Sequence, residues 1–445
     1  MTGKLNNVVT KSALALSLSL ALIGCDRNNT EVLEGAREPI RAGEISVGVQ
    51  PAEVLASKDL RLPRARSISS WTHSGAGADH MPEHAELAES VSLVWSADIG
   101  SGNDRRHRIT SQPVADNGRV FTLDSAATVS ALDESGALLW QTDLAPRKEA
   151  EDASGGGLAT DGTSLFVTSS FGTLSALDVA TGAVEWTQEL DATGATAPTV
   201  VGGIVYLVSG DNRAWAIDAG TGRISWTVTG VEAAQGVSGG GSPAVGRSLA
   251  IFPFSSGDVQ AVFRRGGFNR WTASISGGRD GFAISAVTDI TTDPVIDNGR
   301  VYVGNHAGRI TALDAGTGER IWTAHQGAVG AIVPVGRNDL FVLSDRNQIM
   351  RLSARTGETI WSRQLPMFTN DNPKKRDEIV AHYGPLLAGG RLIVGSSDGK
   401  LRSYSVTDGA LLGEVKMPAG ASSNPIVVNE TLYILSDKGT LLAFR

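Results

Sequence analysis

Short apolar runs, near-continuous in copies such as Val301-Tyr-Val303, recur along this 445-residue chain between turn signals and read as strands of sheets packed between two neighbours. One well-formed set shows the unit. Ser111-Gln-Pro-Val-Ala115 reads as a strand, Asn117-Gly118 as a two-residue hairpin signal and Arg119-Val-Phe-Thr-Leu123 as the next strand; Val129-Ser-Ala-Leu132 and Leu138-Leu-Trp140 complete the four. Asp161-Gly162, Gly202-Gly203, Asn298-Gly299 and Gly389-Gly390 mark the same first turn in later copies. The third turn carries the clearest phrase, Ala312-Leu-Asp-Ala-Gly-Thr-Gly-Glu-Arg-Ile-Trp322. Its aspartate can accept hydrogen bonds from turn amides, and its glycines can take φ > 0. The phrase returns from Ala131 to Trp140, Ala176 to Trp186 and Ala216 to Trp226, with weaker copies ending at Trp271 and Trp361. A seventh copy, Ser403 to Gly413, has glycine in place of tryptophan. Self-similarity every ~40–50 residues, with four short strands per unit, predicts a β-propeller.

The two ends of the chain complete each other. Val91–Ile99, with Trp95, matches the last strand of a unit but has no earlier strands before it. Ser422–Asn429, Thr431–Ser436 and Thr440–Arg445 supply three strands that lack a fourth. Joining them in one blade leaves no open sheet edge. The expected class is therefore all-β: an eight-bladed propeller of four-stranded antiparallel blades over residues 68–445, closed by N- and C-terminal strands in one blade. Trp95, Trp140, Trp186, Trp226, Trp271, Trp322 and Trp361 are expected to cap blades against their neighbours, each with a partner for its indole N–H.

Before the ring the composition changes. Lys4 and Lys11, the apolar run Ala13–Ile23 and Leu22-Ile-Gly-Cys25 form a secretory signal ending in a lipobox-like sequence. Residues 1–24 are read as a lipoprotein signal peptide, with Cys25, the only cysteine, as the acylated residue. Residues 25–67 show no sustained period and are expected to form a flexible tether.

Charge and chemistry narrow the function. A net charge of −8 argues against nucleic-acid binding. A single cysteine excludes a disulfide framework and a thiolate metal cluster. Asp133, Asp178, Asp218 and Asp314 sit in turn phrases, where their expected role is structural. His80-Met-Pro-Glu-His84 has H-x3-H spacing, but Pro82 opposes the helix that would bring both rings to one side. No metal, cofactor or catalytic residue is expected, and His107, His306, His325 and His382 are scattered singly. Arg105-Arg-His-Arg108, Arg264-Arg265 and Lys374-Lys-Arg376 are expected as solvated loop residues.

The Ala-Leu-Asp-x-x-Thr-Gly-x-x-x-Trp units resemble the PQQ-like repeats of the eight-bladed quinoprotein alcohol dehydrogenases. Together with the lipobox and short tether, the chain resembles the BamB-like lipoproteins of outer-membrane β-barrel assembly. The enzyme branch of that resemblance implies a quinone and Ca²⁺ in the central channel and commonly a disulfide, which one cysteine cannot form. The other branch implies a non-enzymatic scaffold, monomeric within a larger complex, that binds the periplasmic domains of a BamA-like insertase through long inter-blade loops. Thr229–Gly241, Ala273–Thr292 and Arg363–Tyr383 are the long connections, and all emerge on one face of a propeller. Phe282 and Ile284 are apolar contact candidates there. The resemblance places Asp289 at an acidic contact position and Thr291 at a second. It also puts Gln235-Gly-Val-Ser238 in place of a leucine-rich segment, with Val237 keeping the apolar character. The resemblance implies the periplasmic face of the outer membrane, whereas Asp26 after the acylated cysteine resembles an inner-membrane retention signal. A periplasmic propeller serving another envelope partner is the alternative reading.

Overall fold

A computed structural model describes residues 60–445 apart from 147–154, 195, 232–239, 276, 279–288, 371, 373, 375 and 377. Its strands form eight four-stranded antiparallel sheets, an eight-bladed propeller. Blade 8 joins β1 (Leu93–Asp98) to the C-terminal strands β30 (Ile426–Val428), β31 (Thr431–Leu435) and β32 (Thr440–Phe444) in the order β1-β32-β31-β30. Blades 1 to 7 each take four consecutive strands. Their innermost strands are β2 (Val114–Asp116), β6 (Gly156–Thr160), β10 (Thr199–Val201), β14 (Ala244–Val245), β18 (Val295–Asp297), β22 (Ala328–Val335) and β26 (His382–Ala388). Middle strands such as Ser164–Ser169 are buried along nearly all their length because each sheet is packed between two others.

Each blade tryptophan sits on an outermost strand with a β-bulge alongside; six lie opposite alanine, as in the pairs Ala131↔Trp140, Ala312↔Trp322 and Trp95↔Ala443, and Trp361 lies opposite Arg351. Each indole N–H crosses to the third turn of the following blade. Trp95 donates to Glu134 O (3.0 Å), Trp140 to Val179 O (3.1 Å), Trp186 to Ala219 O (3.0 Å) and Trp226 to Arg264 O (3.1 Å). Trp271 donates to Ala315 O (3.0 Å), Trp322 to Ala354 O (3.0 Å) and Trp361 to Val406 O (3.2 Å). The ring then lies on the turn glycine: a Cβ on Gly357 would stand 2.5 Å from Trp322 Cε3, and that glycine has φ +75°. Glycine is required there twice over, by conformation and by close approach.

The seventh copy lacks a tryptophan for a topological reason. Gly413 pairs with Ser403 as Trp322 pairs with Ala312. The blade that follows is blade 8, whose outermost strand comes from the start of the chain. Blade 8 therefore has no third turn, and the space beside Gly413 is open.

The N-terminal stretch departs from the expected tether. Leu60 and Leu62 pack on the core shared by blades 6 and 7, and Arg66 N donates to His84 O (2.9 Å). The tether read over 25–67 thus gives way to docked chain by Leu60; residues 25–59 lie outside the description. Ile68–Ala88 forms a strap that visits the blades in turn. Ile68 O accepts from Asn429 N of blade 8 (2.8 Å), Trp71 and Ala115 of blade 1 exchange both backbone bonds (2.6 and 2.8 Å), and Thr72 O accepts from Thr160 N of blade 2 (3.0 Å). Ala78 O accepts from Val245 N of blade 4 (2.6 Å), Asp79 O from Ile296 N of blade 5 (3.0 Å), and Ala85 bonds Leu387 and Gly389 of blade 7 (3.2 and 2.9 Å). Inner strands have no neighbour on the channel side, so the strap takes up backbone groups that would otherwise be orphaned.

Candidate functional site: the axial channel and the connection face

The strap lies at the end of the channel where the first turns of the blades gather, and Trp71, Ser74, Gly75, His80 and Pro82 floor a cavity of about 350 Å³ above it. Residues at the leading ends of all eight inner strands make its wall, among them Thr110, Thr196, Thr291, Gly330, Tyr383 and Asn424. Short polar side chains fasten these ends blade to blade. Ser422 Oγ donates to Ile109 O (3.4 Å), Thr110 Oγ1 to Gly156 O (3.1 Å), Thr168 Oγ1 to Thr196 O (2.7 Å) and Thr199 Oγ1 to Pro243 O (2.6 Å). Asp293 accepts from Ser242 N (2.6 Å), Thr291 Oγ1 donates to Ala328 O (2.9 Å) and Asn424 accepts from Gly384 N (2.7 Å). Between blades 6 and 7 no side chain fits, since a Cβ on Gly330 would lie 2.3 Å from Gly384 O. Seven of the eight blade junctions thus carry such a link, and the eighth is a close backbone approach.

The strap's histidines are pins. His73 Nε2 meets the backbone of Val200 in blade 3 (2.9 Å to O, 3.1 Å to N), and burial pushes its pKa down to about 4. His80 Nδ1 faces Pro294 O of blade 5 (3.0 Å). His84 faces Pro63 O (2.7 Å) and accepts from Gly390 N of blade 7 (2.9 Å). The H-x3-H pair therefore addresses two different blades, and among the described residues no three His, Cys, Asp or Glu side chains group as metal ligands do. Two polar atoms of the floor, Trp71 Nε1 and His80 Nε2, are buried without a hydrogen-bond partner.

The repeated aspartates organise turns. Asp178 Oδ1 accepts from Thr181 N (2.8 Å) and Thr181 Oγ1 (2.6 Å), and Asp314 Oδ1 from Thr317 N (2.9 Å) and Thr317 Oγ1 (3.0 Å). Those hydroxyls, with the turn amides, hold both carboxyls below the usual carboxylate range. In the degraded copy of blade 4 the turn keeps its backbone bond, Gly267 N to Phe263 O (3.1 Å), and in that of blade 6 Ser353 Oγ takes the aspartate's place, accepting from Thr356 N (3.2 Å). Arg264, expected in solvent, instead reaches back to Val201 O (2.9 Å) and the Tyr206 hydroxyl (3.3 Å), fastening blade 4 to blade 3.

The antiparallel order places the connections between blades on the face opposite the strap. Besides the three long ones expected, the stretch between Asp143 and Gly156 is also long, which its lack of a hydrophobic signal concealed. Gln235, Val237, Ser238, Phe282 and Ile284 lie outside the described residues. Asp289 and Thr291 are described, and neither stands out as a surface contact. Asp289 is 2% exposed, drawn under the face because its neighbour Ile290 bridges to Asn305. Thr291 is half-buried and spends its hydroxyl on Ala328.

Known proteins match this architecture. A curated relative from Yersinia pestis, "Outer membrane protein assembly factor BamB", is 28% identical over 265 residues, 59% of this chain and 64% of the relative. The chain thus spans less than two-thirds of the length of the first curated relatives it matches, 64% and 49%. Among solved structures, BamB from Moraxella catarrhalis superimposes with a TM-score of 0.65 at 18% identity, covering 80% of this chain and all of that one. A europium-containing methanol dehydrogenase shares the fold with a TM-score of 0.62 at 15% identity, covering 84% of this chain and 98% of that one. The sequence profile described as outer membrane protein assembly factor BamB matches residues 125–362 and 306–445. The chain belongs to that family.

Proposed function

We propose that this protein is a non-enzymatic scaffold of the outer-membrane β-barrel assembly machine. Acylated at Cys25 and held on the periplasmic face of the outer membrane, it would bind the periplasmic domains of a BamA-like insertase through the connection face. Family membership supports the assembly role. The observation that carries the scaffold reading is the strap: the chain's own Trp71–Pro82 segment occupies one end of the axial channel, while the long connections collect at the other. A rigid frame bearing long loops on one face is built for recognition. The insertase is the expected partner. The aspartates the repeat supplies are committed to turns, so an enzyme would need a different set of groups.

The test is reconstitution. Mature protein mixed with insertase periplasmic domains should co-elute as a complex, and neither pyrroloquinoline quinone nor Ca²⁺ should bind it stoichiometrically. Quinone uptake in the channel, with no complex formed, would reverse the reading. The Cys25→Ser protein should leave the membrane fraction, and wild-type protein should band with outer-membrane markers on a density gradient. Banding with inner-membrane markers, moved outward by Asp26→Ser, would favour a scaffold serving another envelope partner.

A further inference from the structure

The connection that leads from β1 into β2 carries Arg105-Arg-His-Arg108, and its geometry is not that of a loose solvated loop. Asn103 fastens it at three points: its N–H donates to Asp437 O (2.7 Å), its amide to Ser422 Oγ (3.0 Å), and its side-chain oxygen accepts from Ile109 N (2.7 Å). Asp104 folds the tip, accepting from Arg106 N (2.6 Å), His107 N (2.7 Å) and His107 Nδ1 (2.8 Å). The His107 bond, with those amides, holds the Asp104 carboxyl far below the usual carboxylate range. Gly102 lies against the turn of blade 8, where a Cβ would come 2.5 Å from Asp437 O, so the loop is seated on its neighbour.

The cations of this built loop face solvent, and so do its two acids, Asp98 and Asp104, each of which accepts hydrogen bonds from the loop's own amides. Arg105, Arg106 and Arg108 are exposed, and so is Lys438 on the turn beneath. Asp124 is buried and accepts from Ser101 N (2.7 Å) and Thr128 N (2.7 Å). Asp437 is half-buried with Oδ1 inside, and the exposed Asp98 accepts from Gly100 N (2.8 Å). Four exposed cations thus outnumber the two exposed acids, Asp98 and Asp104, along one edge of a protein whose net charge is −8. The patch borders the mouth of the channel. Ile109 and Thr110, the two residues that follow Arg108, line the cavity together with Tyr383; burial raises the Tyr383 hydroxyl pKa, with Arg108 working against the rise and Asp437 adding to it.

We propose that this arginine rim is a docking element for an acidic segment of a protein partner, its carboxylates taken by Arg105, Arg106, Arg108 and Lys438 and its tip lodged in the mouth of the channel. Arginine suits carboxylates because its planar fork bonds both oxygens, and a loop already fixed loses little freedom on binding. A flat anionic membrane matches the charge but not the shape, since the cavity of about 350 Å³ beside the rim receives a loop and not a bilayer. The inference deepens the proposed function, because it rests on the connection face being the docking face.

The test uses the mature chain carrying Cys25→Ser, so that no acyl group contributes. Probes are a labelled hexaglutamate peptide, a hexalysine control, vesicles of phosphatidylcholine with phosphatidylglycerol, and insertase periplasmic domains. Hexaglutamate should bind, weaken as salt screens the charges, and bind about tenfold more weakly to R105E/R106E/R108E. Arg223→Glu, an exposed site on the opposite face, should leave it unchanged. R105Q/R106Q, the milder variant, should give an intermediate loss if the triple variant unfolds. Equal binding of the peptide by all variants overturns the proposal, as does arginine-dependent binding of vesicles without the peptide. Peptide binding without insertase binding sinks the proposed function and leaves this site standing; insertase binding that the triple variant retains in full does the reverse.

Discussion

Replacing Trp322 by alanine tests the blade-to-blade staple where its parts are best defined. The indole is 8% exposed, packs with Tyr302 at 6.1 Å between ring centroids, and lies on Gly357. Removing it deletes a large buried ring, a loss of about 3–5 kcal/mol. The hydrogen bond to Ala354 O adds about 1 kcal/mol at most, because that carbonyl also accepts from Arg300 Nη1 (2.5 Å) and is not left orphaned. The expected total is therefore about 3–6 kcal/mol. Gly357→Ala should also destabilise, since its methyl would meet the ring in a left-handed backbone conformation. The two changes must not add: once the ring is gone the clash is gone, leaving only the backbone strain. Urea unfolding of the two single variants and the double variant measures this coupling. A W322A protein with the wild-type midpoint, or strict additivity in the cycle, would show that ring and glycine do not form the seam.

Gly413→Trp should change stability by less than about 0.5 kcal/mol, because no turn of blade 8 waits to receive the ring; a clear gain in urea midpoint would contradict the topological explanation. Trp71→Phe should stay within about 1 kcal/mol of wild type, since losing an unpartnered buried N–H offsets the smaller ring; Trp71→Ala should be far worse in the same assay. His73 has a folded pKa of about 4 against 6.5 when unfolded, so its neutral form belongs to the folded state. Stability is full above pH 6.5 and falls as pH drops towards 4, by about 3 kcal/mol at most for this group. Burial lowers the His382 pKa as well, adding to the slope. His73→Gln should flatten the urea midpoint between pH 7 and 4, and an unchanged slope would refute the assignment.

What the sequence disclosed followed from what repeats. The strands, the turn phrase and the pairing of Val91–Ile99 with Thr440–Arg445 were legible because each blade solves the same packing problem with the same residues. The glycine at 413 was visible as a departure, but its cause lies in connectivity. The strap was illegible for a physical reason: its hydrogen bonds go to a different blade every few residues, so Trp71, His73, His80 and His84 follow no period. The Ser, Thr and Asn links around the channel read as loop polarity, since nothing in Thr110 or Ser422 betrays a partner tens or hundreds of residues away.

If partners meet the connection face and not the strap face, photo-crosslinking in cells separates the two, with a short-range crosslinker placed in turn at four exposed positions. Arg106 and Met367 lie on connections between blades, whereas Arg223 and Asn298 lie on turns at the strap end. Adducts with the insertase are expected from Arg106 and Met367 and none from Arg223 or Asn298. Adducts from Arg223 or Asn298 alone would contradict that reading.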